Sequence, residues 1–252
     1  MPSEKPLVYL ILGATGSGRR EVLADLIAGG LGEGDRPTVL LAADEPADES
    51  DSKLPGLVRW TWTGADLEAS LPVGATHVFL VTSGRHSPVD QIEAFKPWLD
   101  AQGGVLARVL CVVHCQLAEK HAALLAWYDA CVHFSDIVLL NRREGVANKW
   151  LSDFQRHYTD QFLPCLFELV KSGRVKNPAL ILEPQARRVS HLFDEELEWV
   201  FTNTDGEEID EEDAEEGDEE VEAVPAEDPY LVRDAAGRHV KWIPEIAKFL
   251  GT

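Results

Sequence analysis

The stretch Gly13-Ala-Thr-Gly-Ser-Gly-Arg-Arg20 is the part of this chain best suited to chemistry. Glycines let consecutive backbone N–H groups curl inward around phosphate oxygens, and the positive end of a following helix adds to the attraction. The spacing from Gly13 through Ala14, Thr15, Gly16 and Ser17 to Gly18 fits G-x-x-x-x-G-K-[ST]. Arg19 then stands at the lysine and Arg20 at the hydroxyl residue that would hold Mg²⁺. Arg19 keeps the positive charge and can grip phosphate through two donors. Arg20 has no lone pair to offer a metal. The loop therefore predicts phosphate binding in which Mg²⁺ is not tightly held. The alternative for the same residues is a glycine-rich turn without a ligand.

Cys111, His114 and Cys115 form a C-x-x-H-C cluster, with Cys131 and His133 downstream. Four such ligands can hold zinc. Alternation along a strand sends neighbours to opposite faces, and a buried cysteine is an ordinary small apolar residue. No metal site is expected, and no residue is assigned a catalytic role. His157, His191 and His239 stand alone. Trp60 and Trp62, two apart, put both rings on one side of a strand, where packing is the expected use.

These residues need a scaffold. Leu7-Val-Tyr-Leu-Ile-Leu12 is a continuous apolar run, the pattern of a strand buried on both faces in a parallel sheet. Further strands are expected at 38–42, 77–82, 109–113 and 137–140, with a short sixth at 180–182. Helices are expected at 21–28, 88–101, 117–132 and 148–163. Strands alternating with helices make right-handed βαβ units. The fold class is α/β, a doubly wound, mostly parallel, P-loop NTPase-like sheet followed by an acidic disordered C-terminal segment.

After the glycine loop the chain shows Val81-Thr-Ser-Gly84-Arg-His-Ser-Pro88, Val112-Val-His-Cys115 and Ser135-Asp-Ile-Val-Leu-Leu-Asn141-Arg-Arg-Glu144. In that order, over residues 7–185, it resembles the CobW-like GTPases, a metallochaperone branch of the P-loop GTPases. The resemblance implies GTP as cofactor, held by residues 13–20 and by Asn141 and Glu144, which stand at the ends of the guanine-reading N-K-x-D. The departures from the family pattern are as informative. Tryptophans occupy the stretch Arg59-Trp-Thr-Trp62 where a C-x-C-C metal motif belongs, Val81 replaces an acid, His114 replaces the aspartate of V-D-A, and the acidic tail is expected in place of the family's second domain. The expectation is a degenerate, nucleotide-binding member with little or no hydrolysis. Two alternatives remain open: an active P-loop ATPase, GTPase or phosphotransferase with an arginine-variant loop, and a nucleotide-free interaction scaffold.

The chain has 252 residues and a formal charge of −21, unevenly placed. Of its 44 acidic residues, 19 lie between Val189 and Val232, where Lys and Arg are absent; elsewhere 25 acids face 23 basic residues. Such a charge disfavours nucleic acid and anionic membranes as partners. The low-complexity stretch 205–228 is expected to be disordered. It offers a surface for a basic protein partner, or an anion that folds back onto Arg19, Arg20, Arg142 and Arg143. Three parts follow: a P-loop NTPase-like domain at 1–190, an acidic linker at 191–229 and a docking segment at 230–252, the last with a hairpin turn at 234–237 and a helix at 244–250. Four cysteines are too few for a disulfide scaffold, and no signal peptide or membrane span is read. A cytoplasmic protein is expected.

Overall fold

A computed structural model describes residues 5–194, 199–202, 208–209, 222–225 and 227–250. Strand β1 (Leu7–Leu12) runs into the glycine loop and helix α1 (Arg19–Gly30). Then follow β2 (Pro37–Ala42), β3 (Val58–Trp62), β4 (Leu67–Glu68), β5 (His77–Val81) and α2 (Pro88–Gln102). The second half holds β6 (Val105–His114), α3 (Cys115–Lys120), α4 (Leu125–His133), β7 (Ile137–Asn141), α5 (Asn148–Thr159), β8 (Leu166–Leu169) and α6 (Pro178–Leu182).

The strands form one sheet in the order β4-β3-β2-β5-β1-β6-β7-β8, parallel except where β4 returns against β3. From β1 the chain steps over β5 to reach β2, and from β5 it steps back over β1 to β6. The strand order thus reverses around β1, the kind of crevice where open α/β sheets bind ligands. Both faces are covered, so β1 reads as an unbroken apolar run. On one face Tyr9 and Ile11 pack with Val22, Leu23 and Leu26 of α1 and with Ile181 and Leu182 of α6. Val8, Leu10 and Leu12 are buried on the other. The Tyr9 hydroxyl donates to the Leu182 carbonyl at 2.7 Å. Burial pushes its pKa up to about 12, with the Arg108 guanidinium working against the rise.

Three expectations change. Residues 180–182 belong to helix α6, not to a strand; Pro178 sits in its first turn, where a missing N–H costs nothing. Beyond β7 the parallel sheet ends in β8 instead. The helix expected over 117–132 is broken at His121, where a 3₁₀ turn at Ala122–Leu124 separates α3 from α4. In place of a helix at 244–250 there is one 3₁₀ turn, Ile246–Lys248, with Ile246 buried and Phe249 edge-on to His121.

The chain divides into two compact units, 1–189 with 242–252, and 190–241. In the second, the expected turn at 234–237 is present: Gly237 N–H donates to Asp234 O, and Arg233 bridges to His239. Most of the stretch expected to be disordered, 205–228, lies outside the described residues. Its described parts include β10 (Glu208–Ile209) and β11 (Glu222–Pro225), both antiparallel to β9 (Trp199–Thr202). Among the described residues no helix is long and apolar enough to cross a membrane.

Candidate functional site

The glycine loop lies at the C-terminal end of β1, at the reversal of strand order. Gly13, Gly16 and Gly18 have φ of 135°, 82° and 86°, which side chains with a Cβ rarely adopt. At Gly13 a Cβ would also stand 2.4 Å from the Val112 carbonyl oxygen. Gly18 caps α1 without a side chain, and the first helical bond runs from Val22 N–H to Gly18 O. A helix leaves the N–H groups of its first turn without internal acceptors. Those of residues 19–21 therefore face the loop, with no acceptor among the described residues.

Two neighbouring strand ends stitch the loop in place. From β7, the Asn141 amide donates to Ser17 O at 2.8 Å, and Arg142 Nε donates to Gly16 O at 3.2 Å. Arg142 has φ of 50°, a strained value for a bulky residue, in keeping with a position held by its surroundings. From the end of β5, Gly84 accepts from Thr15 N–H at 3.2 Å. Ser83 is held on both sides: its N–H donates to the Gln91 side chain and its hydroxyl to Asp44, at 2.7 and 2.6 Å.

Glu45, just past β2, carries the main electrostatic feature. One of its carboxylate oxygens accepts from Thr15 Oγ1 at 2.8 Å, Gly84 N–H at 2.8 Å and Arg19 Nη2 at 2.5 Å. Arg19 also donates to Thr82 O at 2.5 Å. Both side chains of this ion pair are only 4% exposed. Burial alone would raise the Glu45 pKa, but Arg19 and the hydrogen bonds from Gly84 and Thr15 outweigh it and hold the carboxyl below its usual range. Sequence reasoning missed Glu45, which lay unremarked in an acidic loop.

The other arginines are engaged as well. Arg20 pairs with Asp51 at 3.2 Å and donates to Pro46 O at 2.7 Å. Arg142 pairs with Glu21 at 2.6 Å, and Arg143 donates twice to Val170 O. The anions that meet these cations among the described residues thus come from the sheet domain. A cleft of about 120 Å³ remains, lined by Gly16, Gly18, Arg20, Glu45, Asp48 and Arg142 among others. That is well below the roughly 300 Å³ at which ligand pockets begin.

Of the expected site residues, 13–20 and Asn141 come together. Glu144 is exposed on the loop that follows, where its carbonyl accepts from Gln116. The Mg²⁺ position does not fit a metal: Arg20 fills the hydroxyl's place, and buried apolar Val81 ends β5. Asp136 of the motif at 135–144 is a staple at the opposite end of the sheet, accepting from Val109 N–H and Arg187 N–H at 2.6 Å each.

The C-x-x-H-C cluster is divided. His114 caps α3 by accepting from Leu117 N–H, while all four cysteines are buried and free. Burial pushes the Cys115 and Cys165 thiols up to about 12, so neither is a ready thiolate. Trp60 is buried and its indole donates to Val81 O at 3.0 Å, the packing use expected of it.

No family model and no curated protein sequence matches the chain. Several solved structures are similar to it. HypB from Helicobacter pylori in complex with nickel is 14% identical with a TM-score of 0.44, covering 66% of this chain and 79% of that one. The Zn(II)-bound YjiA GTPase from E. coli is 11% identical with a TM-score of 0.41, covering 79% and 72%. Cell division protein FtsY from Thermotoga maritima is 15% identical with a TM-score of 0.40, covering 77% and 70%. Values this low carry no functional argument, and the α/β, P-loop NTPase-like fold stands on the strand order and on the loop which that order positions.

Proposed function

We propose that this chain is a nucleotide-binding protein that holds phosphate at residues 13–20, takes guanine nucleotide as the resemblance implies, and turns it over at near background rate. One observation carries the reading: the first-turn N–H groups of α1 follow a loop whose glycine φ values suit an anion cradle. The stitching of Asn141 and Arg142 onto that loop supports a base site beside it. Weak turnover is supported by Arg20 and Val81, since phosphoryl transfer relies on a metal to neutralise developing charge. Calorimetric titration with GTP and GDP, alongside a phosphate-release assay, tests this. Saturable binding without release of phosphate is expected, and steady EDTA-sensitive turnover would overturn the second half. The small cleft and its internal ion pairs favour one further reading, a nucleotide-free scaffold. Absence of binding by any nucleotide would select it.

A further inference from the structure

We infer that Glu45 stands in the place of a terminal phosphate, and that the site therefore selects nucleoside diphosphates over triphosphates. The inference rests on the nucleotide reading above. In a phosphate loop the basic residue at position 19 reaches outward to the last phosphates, while the backbone cradles the inner ones. Here Arg19 reaches Glu45 instead. The same carboxylate oxygen takes the Thr15 hydroxyl from the loop and the Gly84 N–H from the end of β5. Three donors from separate segments converging on one oxygen are the donor set of a bound anion, and a carboxylate of the chain itself satisfies it.

The carboxylate is not on a loose tether. Arg20 ties Pro46 and Asp51, and Arg59 donates to Asp51 at 2.7 Å and to Glu45 O at 2.9 Å. With Asp44 held by the Ser83 hydroxyl, the segment carrying Glu45 is fastened on both sides of it. The N–H groups of residues 19–21, which have no acceptor among the described residues, remain for the phosphates the loop cradles. A third phosphate would meet the Glu45 carboxylate in a nearly dry site, where like charges repel strongly. Expelling Glu45 would in turn strip Arg19 of its partner unless the phosphate replaced it oxygen for oxygen. A diphosphate requires no such exchange. Rejection by a fixed like charge is a recognised route to specificity.

The test is calorimetry on the full chain in EDTA, with GDP, GTP and inorganic phosphate as probes, for the wild type and Glu45→Gln. The wild type should bind GDP at least about tenfold more tightly than GTP. Glu45→Gln, which keeps the shape and removes the charge, should shift that ratio toward GTP by about tenfold or more. The wild-type comparison decides by itself if the variant does not fold. Equal affinities, or tighter GTP, in the wild type would overturn the inference while leaving nucleotide binding intact. So would an unchanged ratio in the variant. Failure of both proteins to bind either nucleotide would remove the nucleotide reading and this inference together.

Discussion

Arg20 carries the expectation about Mg²⁺ at the scale of a single residue. Its guanidinium is committed to Asp51 and Pro46 O and has no lone pair to give. Nucleotide affinities measured in EDTA and in Mg²⁺ are therefore expected within about threefold, under about 0.7 kcal/mol. A hundredfold gain with Mg²⁺ would show that another residue supplies the ligand. Glu45 gives a second prediction. Its folded pKa lies below the unfolded one, so the stability it contributes is present above the usual carboxylate range and lost as pH falls through the folded value. Glu45→Gln leaves Arg19 buried without a counter-charge, costing on the order of 3 kcal/mol at neutral pH. Urea titrations should show that gap narrowing once the pH falls below the usual carboxylate range, as the wild-type carboxylate takes up its proton. A gap that stayed constant down to acid unfolding would mean that Glu45 is not the titrating partner. The sequence exposed Arg19 through its place in a motif, but Glu45 is 26 positions away in an acidic loop. Nothing local separates it from Asp44, Asp48 or Asp51.

Among the elements, the β5–α2 turn and the glycine loop approach closely. A Cβ on Gly84 would stand 2.2 Å from Thr15 N and 2.6 Å from Ala14 C, both backbone atoms that cannot swing aside. Gly84→Ala should cost about 1–3 kcal/mol by overpacking and weaken nucleotide binding with it. Gly34→Ala, where nothing lies within 4 Å, serves as the control and should stay within about 0.5 kcal/mol. Equal effects from the two substitutions would refute the contact. Legibility also varied by element. β1 and α1 announced themselves, because a doubly covered strand, a glycine loop and an amphipathic helix are each local patterns. The run 180–182 was too short for its period to separate strand from helix, and Asn177-Pro178 was the better guide. β8 follows Pro164 closely and is only half-buried, so it left little trace in the sequence.

At the level of the whole molecule, charge governs how ligands arrive. With a net −21 at neutral pH, the chain repels any anionic ligand at long range, and dissolved salt screens that repulsion over about 10 Å at 0.1 M. Nucleotide association rates should therefore rise, not fall, between about 10 and 150 mM salt. Replacing the acids of residues 211–220 by their amides should flatten the dependence, as stopped-flow mixing can read. A rate that drops with salt in both proteins would mean that local arginines outweigh the total charge. The acidity was plain from composition; the arrangement of residues 190–241 as a compact unit was not, since its strands pair across acidic stretches that carry no apolar rhythm.

The indole of Trp60 gives the molecule an optical property of its own. Buried in β3, it donates to Val81 O, one residue before the Thr82 carbonyl that receives Arg19. Emission from a buried indole depends on its hydrogen bond and on the polarity around its ring. If Arg19 leaves the Thr82 carbonyl when its pair with Glu45 opens, the neighbouring Val81 carbonyl that Trp60 holds is expected to shift, and Trp60 emission with it. The difference spectrum between the wild type and Trp60→Phe would isolate that signal from the other tryptophans. Trp60 is thus an intrinsic fluorophore one residue along the chain from the carbonyl that receives Arg19, and its emission is expected to report the state of the glycine loop in real time without a dye.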